Sequence, residues 1–537
     1  MRSGTVRSLG VAAISVIAVA VAGCSGGGSS SPSGASGSDT LRVAWTTTPT
    51  QLDPNVFTGL NSIMTSDAYM ATLLEYDTSK GGDKIIGVKD LKLSLAESYE
   101  ANAAGTEYTF KLRKGVKSQY GNELKADDVI YSFQRMLSTP TSLQAGILLP
   151  TANVNKEKPW EKVDDYTLKY RLNKPSAVSL SILAYPIVGI LDSTEVKKHA
   201  TTDDPWAAKW LKDHTAGFGP YQLKSFNPGQ EVRLEQNPNY FDTKPYFKEI
   251  VLKAVPEGSS RAQLLMSGDV DMISGPPIDQ LKKIDASSRA KVSKQPDSNR
   301  HNLSVNMADP ALGKPEVRHA ISHAINRDAI VSSIYQGYAK PAYTPMSSVL
   351  FDNQPELGKY DPELAKKELA AAGYPNGLDI ELSFGTERPG PYAENLGRLI
   401  QADLAKVGVK ASLKAVPSVA DFEGAVSAKK LQSYLYTERP SQPDIGFALY
   451  LYLFKGSSLN KSGYSNPELD RLTQEALSLA PGTERDAVVG QALKVVAENE
   501  PIISLVEVPD LAGVAKDLKG FVALPTGGAM FQELSRG

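Results

Sequence analysis

Between residues 361 and 436 the chain alternates helix signals with strand signals, and no other stretch restricts the fold as much. Asp361-Pro362 supplies an N-cap and a proline at the first helical position, and Gly373 supplies the left-handed residue that closes the helix. Residues 378–384 read as a strand. Residues 392–407 read as a helix with Leu396, Leu399, Ile400 and Leu404 facing inward, stopped at Gly408. A strand over 409–416, a helix over 420–428 and a strand over 432–436 complete the run. Strand–helix–strand units build a mostly parallel sheet, and ligands bind outside the carboxyl ends of its strands. Two loops leave such ends: 385–389 (Gly-Thr-Glu-Arg-Pro) and 437–444 (Thr-Glu-Arg-Pro-Ser-Gln-Pro-Asp).

The earlier half opens with a strand over 41–45 and a polar segment over 46–54 that ends Leu52-Asp53-Pro54. Ala68, Ala71 and Leu74 give 67–76 helical spacing. Tyr108, Phe110 and Leu112 mark a half-exposed strand, and a helix begins near 125 with Asp127 and Asp128 at its positive end. Residues 216–241 read as a hairpin. Tyr221, Leu223 and Ser225 alternate with Gln222, Lys224 and Phe226, and Val232 and Leu234 alternate with Glu231, Arg233 and Glu235. The turn Asn227-Pro228-Gly229-Gln230 presets φ with its proline and supplies a positive φ with its glycine. Strands follow at 250–255 and 301–306, the second expected to cross to another lobe. Asp269 and Asp271 lack the further acids of a calcium loop and read as turn residues. Val317, Ala320, Ile321, Ala324 and Ile325 define a helix over 316–325, with His319 and His323 on its solvated face. Their spacing lacks the glutamate of a zinc-protease helix.

The amino end reads as a targeting segment. Arg2 and Arg7 precede an apolar run over 9–22, too short to span a bilayer comfortably. It ends Val21-Ala22-Gly23-Cys24, a bacterial lipobox in which Cys24 is the lipid attachment site. Cys24 is the only cysteine. Its acylation excludes disulfides, thiolate catalysis and cysteine-ligated metals. Residues 25–38 hold only Ser, Gly, Pro and Ala and form a flexible tether. The remaining stretch of about 500 residues suffices for two or three domains. With 58 basic and 60 acidic side chains, the near-balance argues against nucleic-acid binding.

Gly217-Phe218-Gly219-Pro220-Tyr221, the hairpin, and Asn237-Pro238-Asn239-Tyr240-Phe241 together resemble the signature region of the family 5 extracytoplasmic solute-binding proteins. These are the dipeptide and oligopeptide receptors of ABC importers. The blocks LAESYE, YTFKLRKGVK and ADDVIYSF within 95–133, PEVRHAISHAINRDAIV at 315–331 and NKSGYSNPE at 460–468 match the same family. The resemblance implies an α/β, periplasmic-binding-protein-like type II (cluster C) fold of two lobes. Residues 1–23 are the leader and 24–38 the tether. Lobe I comprises 39–74, 214–300 and 496–537, with an extra domain at 75–213, and lobe II comprises 301–495. The implied function is capture of a peptide or related small solute by a lipid-anchored, extracytoplasmic monomer. That receptor delivers its load to permease subunits driven by a cytoplasmic ATPase, without cofactor, metal or catalysis. The chain itself lacks a Walker A pattern. The alternatives are a lipid-anchored peptide-signal receptor and a surface hydrolase.

The resemblance also implies the ligand residues. Thr46 and Thr47 follow the opening strand and offer hydroxyls. Arg388, followed by Pro389 and the matching segment IQADLAKVGV at 400–409, offers a fork for a ligand carboxylate. Peptide binders carry Gly-Trp-x-x-Asp in the second loop, where this chain has Leu435-Tyr436-Thr437-Glu438-Arg439. Tyr436 supplies an aromatic wall. Arg439 stands at the acid's position and reverses its charge, with Glu438 adjacent and Asp444 further along the loop. Tyr450 and Tyr452 are further stacking candidates. An anionic or sugar-conjugated ligand becomes the alternative to a zwitterionic peptide.

Overall fold

The structure, a computed structural model, describes residues 39–56, 59–139, 142, 144–385 and 389–537; the leader, the tether and Cys24 lie outside these. The strand Thr40–Trp45 sits in a seven-stranded mixed sheet. The order is Ala290–Gln295, Asp510–Ala515, Met272–Ser274, Thr40–Trp45, Glu249–Ala254, Glu231–Gln236 and Tyr221–Asn227. Thr40–Trp45 runs parallel to both neighbours. The hairpin expected over 216–241 is present, its turn carried by Gly229 at φ 72°. Tyr221, Val232 and Leu234 are fully buried. Phe531 stacks on Trp45 with ring centroids 6.1 Å apart, so the carboxyl end returns to this lobe as expected.

A second, six-stranded sheet has the order Lys340–Pro341, Ile502–Glu507, Arg300–Val305, Ser433–Glu438, Leu378–Gly385 and Val409–Val416. The last three strands are mutually parallel, as the alternation of helices and strands requires. Arg300–Val305 is antiparallel to both neighbours, so the sheet is mixed rather than mostly parallel. Ile502–Glu507 lies within the segment 496–537 expected in lobe I. It is buried at all six positions and pairs with Arg300–Val305, and the chain re-enters the first sheet only at Asp510–Ala515. A strand apolar on both faces needs cover on both, which an interior position in the second sheet supplies.

Residues 96–171 build a separate four-stranded antiparallel sheet with the helix Ala126–Ser138. Asp128 caps that helix, accepting from the backbone N–H groups of Lys125 and Ser193, both at 2.8 Å. The apolar core of this region is continuous with the helices Ile445–Leu453, Pro467–Ser478 and Thr483–Asn499.

Three local expectations are corrected by tertiary contacts. The helix signal over 67–76 is split: the helix is Leu60–Tyr69, and Leu74–Tyr76 is a strand. The carbonyls of Tyr69 and Ala71 accept instead from Gly219 (3.1 Å) and Ile190 (2.8 Å). Asp271 is no turn residue: its buried carboxylate accepts from the Arg42 backbone and guanidinium and from Arg536. The helix expected over 316–325 is Pro315–Ala324, but His319 and His323 are half-buried rather than solvated. His323 Nδ1 lies 2.8 Å from Glu368 Oε2 on the helix Pro362–Ala371.

The glycines of the Gly-Phe-Gly-Pro-Tyr motif answer to space rather than to φ. A Cβ on Gly217 would lie 1.9 Å from the carbonyl oxygen of Tyr69, whereas one on Gly424, in the helix Val419–Ser427, would meet nothing within 4 Å. Gly217→Ala is therefore expected to cost about 1–3 kcal/mol in urea unfolding, and Gly424→Ala to be neutral or to stabilise by about 0.5–1 kcal/mol.

Glu500 follows the helix Thr483–Asn499 at φ 36° and accepts from Ser322 Oγ at 2.5 Å. Burial pushes its carboxyl from the ordinary 4.5 up to about 7, against the pull of Arg327 and Arg318. The folded state holds this proton more tightly than the unfolded chain does. Its contribution to stability is thus complete below pH 4.5 and is lost as pH rises through about 7. Glu500→Gln should flatten this part of the fall in melting temperature relative to wild type. Asp67, also raised to about 7 by burial, leaves a common background slope in both proteins.

Candidate ligand-binding site

The carboxyl ends of the parallel strands meet at one edge of each sheet. On the second sheet this edge holds Gly385, Val416, Glu438 and Glu507, together with the amino end of Arg300–Val305. On the first it holds Trp45, Ala254 and Ser274. The chain crosses between these edges twice, through 296–299 and through 508–509, and Val508 N–H donates to the Asn299 carbonyl at 2.9 Å.

At the second edge Arg300 and Glu438 face each other in register. Arg300 Nη2 donates to Glu438 Oε2 at 2.7 Å, with side chains 2% and 7% exposed. Arg300 Nη1 also donates to Ser504 Oγ at 2.9 Å and to the Pro345 carbonyl. Burial raises the Glu438 carboxyl above its ordinary value, and Arg300 pulls against that rise. The pair borders a small crevice lined also by Ser347, Leu350, Ala448 and Tyr452. Ser347 is buried, and its Oγ has no hydrogen-bond partner among the described residues. The site therefore offers one free hydroxyl and one paired charge within mainly apolar walls.

The residues expected from the sequence fall into different places. Thr46 and Thr47 are exposed at the carboxyl end of Thr40–Trp45, where Asn61 Nδ2 donates to the Thr47 carbonyl at 2.7 Å. Glu438 borders the cavity, as does Tyr452. Tyr436 is buried against Phe422 and Tyr434, and its hydroxyl donates to Glu423 at 2.9 Å. Asp444 caps the helix Ile445–Leu453 and pairs with Arg485 Nη2 at 2.7 Å, both side chains buried, so its oxygens serve the fold. Tyr450 stacks on Phe454 at 4.8 Å. Arg388 lies outside the described residues. Arg439 turns to two acids: its Nε lies 2.8 Å from Asp297 Oδ2 and its Nη2 3.3 Å from Asp510 Oδ2.

Arg300, Ser347, Asp297 and Asp510 were not singled out by sequence reasoning. None of the four left a legible signal: Arg300 opens a strand that also carries His301, Asn302 and Ser304, and the other three sit in polar or turn-like segments. Among the described residues no group of three or more His, Asp or Glu is placed to hold a metal ion.

Removing one partner of a buried pair leaves an uncompensated charge, which costs about 3–5 kcal/mol. Arg300→Met is expected to lose that much in urea unfolding. The double variant Arg300→Met/Glu438→Leu should recover most of it, and a double-mutant cycle measures the difference.

Comparison with known proteins extends over the same body. The profile of the bacterial extracellular solute-binding proteins, family 5, matches residues 90–460. The probable ABC transporter periplasmic-binding protein SapA of Escherichia coli K12 is 29% identical over 462 residues, covering 82% of this chain and 83% of SapA. The probable D,D-dipeptide-binding periplasmic protein DdpA of the same organism is 28% identical over 491 residues, covering 91% and 92%. The structure of HbpA2 from Haemophilus parasuis superposes with a TM-score of 0.79 at 26% identity, over 93% of this chain and all of that one. The periplasmic-binding-protein-like fold expected from the sequence is thus the fold observed, and the chain belongs to the family 5 bacterial extracellular solute-binding proteins.

Proposed function

We propose that the protein is the lipid-anchored, extracytoplasmic receptor of an ABC importer, capturing a small peptide or a related solute between its two lobes. The observation that carries this reading is the match to this family, in a chain whose second sheet meets both crossings at its carboxyl edge. Ligands of open α/β sheets bind outside the carboxyl ends of the strands. Two short crossings permit a hinge closure that expels water and covers the solute. The closed receptor then presents its load to a permease pair driven by a cytoplasmic ATPase.

The names of the two curated relatives support the same direction, one being an ABC transporter component and the other a probable D,D-dipeptide binder. The lipobox sequence at Cys24 and the Ser/Gly tether support a lipid anchor that holds the receptor beside the membrane. Ser347 Oγ and the Arg300–Glu438 pair hold the polar end of the solute, with Thr46 and Thr47 at the edge of the first sheet and Arg388 as the fork for a ligand carboxylate. The protein binds and releases its solute unchanged.

A thermal-shift panel of di- to pentapeptides, oligosaccharides, opine-like acids and metal chelates tests the reading. A true ligand at a hundred times its Kd stabilises the folded state by about 2.7 kcal/mol. Solute recovered intact after incubation supports a receptor, and a cleaved solute overturns it in favour of a hydrolase. Uptake lost in a deletion strain separates a transport receptor from a sensor. Cys24→Ala should move the protein from the membrane fraction to the soluble fraction.

A further inference from the structure

Each of the two crossings carries one acid near the cavity. Asp297 lies on the first, and Asp510 opens the strand that follows the second. Their side chains are 5% and 15% exposed, and both turn toward the guanidinium of Arg439. No other lysine or arginine pairs with either acid among the described residues. Ser298, Glu438 and Pro440, the chain neighbours of this trio, line the cavity. The guanidinium is also backed from the first lobe. A Cβ on Gly527 would lie 2.7 Å from Arg439 Nη1 and 2.3 Å from Leu60 Cδ1. The space behind the fork is therefore filled.

Two largely buried carboxylates demand a cation, since unpaired they pay the full cost of desolvation and repel each other. Burial holds the Asp510 carboxyl above the ordinary range; Arg439 pulls it back, and Asp297 adds to the rise. The chain supplies that cation itself, from Arg439, whose chain neighbours Glu438 and Pro440 both line the cavity.

We infer that Arg439 is a specificity-determining residue: its guanidinium fills the anionic seat of Asp297 and Asp510 and shuts ligand ammonium and guanidinium groups out of it. The inference rests on the receptor reading above for its consequence, because a solute bound beside the seat meets a satisfied ion pair instead of two free acids. Selection by an internal occupant of this kind works against the wrong ligand rather than for the right one.

Chemical rescue in the full chain tests it. Arg439→Gly empties the seat and lowers the melting temperature. Millimolar methylguanidinium or ethylguanidinium should restore part of the loss, while sodium chloride of equal ionic strength should not, and neither should shift the wild type. Rescue should weaken in Arg439→Gly/Asp510→Asn and vanish in Arg439→Gly/Asp297→Asn/Asp510→Asn. The double variant leaves only one acid unpaired, so it carries the test if Arg439→Gly does not accumulate. In the solute panel, Arg439→Gly should gain at least tenfold affinity for peptides with a free amino terminus relative to amino-acetylated ones. Absent rescue, equal rescue in the triple variant, or unchanged preference between the two peptide forms overturns the inference. Rescue is read without any solute, so a panel with no binder overturns the receptor reading while leaving the seat intact.

Discussion

A buried charge must find its partner, and in this protein the partners of the buried arginines come from distant parts of the chain. Arg135 holds Asp53 and Asn55 across the helix Ala126–Ser138 and the segment after the first strand. The buried Asp271 is shared by Arg42, itself partly exposed, and Arg536, from opposite ends of the body. Arg318 donates to the carbonyls that end the helix Thr483–Asn499, and Arg327 to Ser504 and Gly358. These ties join elements far apart in sequence. Losing either partner leaves a desolvated charge, so the penalty enforces topology more strictly than apolar contact does.

The same rule shapes the site. Arg300–Glu438 and Arg439–Asp297–Asp510 lie within a few residues of each other along three segments, and between them they stiffen the edge where both crossings leave the second sheet. Closure about two crossings needs a fixed reference on each side. The Val508–Asn299 hydrogen bond and the Arg439 fork supply it at the base of the cleft. Thr46 and Thr47 lie exposed at the carboxyl edge of the first sheet.

Much of the fold was legible because it rests on periodicity. The run of helices and strands from Asp361 to Glu438 appears nearly as its pattern implies. The strand expected at 409–416 matches residue for residue, and Asp361 accepts from Leu364 N–H at 2.9 Å as an N-cap should. The hairpin turn was written in Pro228-Gly229. The misread stretches are those where distant backbone intervenes. Gly217 and Gly219 press against Tyr69 and Met70 and end a helix that its own spacing would continue. The strand Ile502–Glu507 was placed in the wrong lobe because nothing in its mostly apolar residues names the sheet that will bury them.

The site divides along the same line. Sequence alone determined that two loops leave parallel strands at their carboxyl ends, that Glu438 and Arg439 sit on one of them, and that the charge at 439 is reversed from the family pattern. Those are facts of order and identity, fixed by local pattern. Only the tertiary structure decided what each charge does. Glu438 faces Arg300 at a cavity, Arg439 turns to the crossings, and Asp444 caps a helix while holding Arg485. A side chain's partner is chosen by which groups are buried with it, and burial is a property of the packed whole, not of the neighbours in sequence.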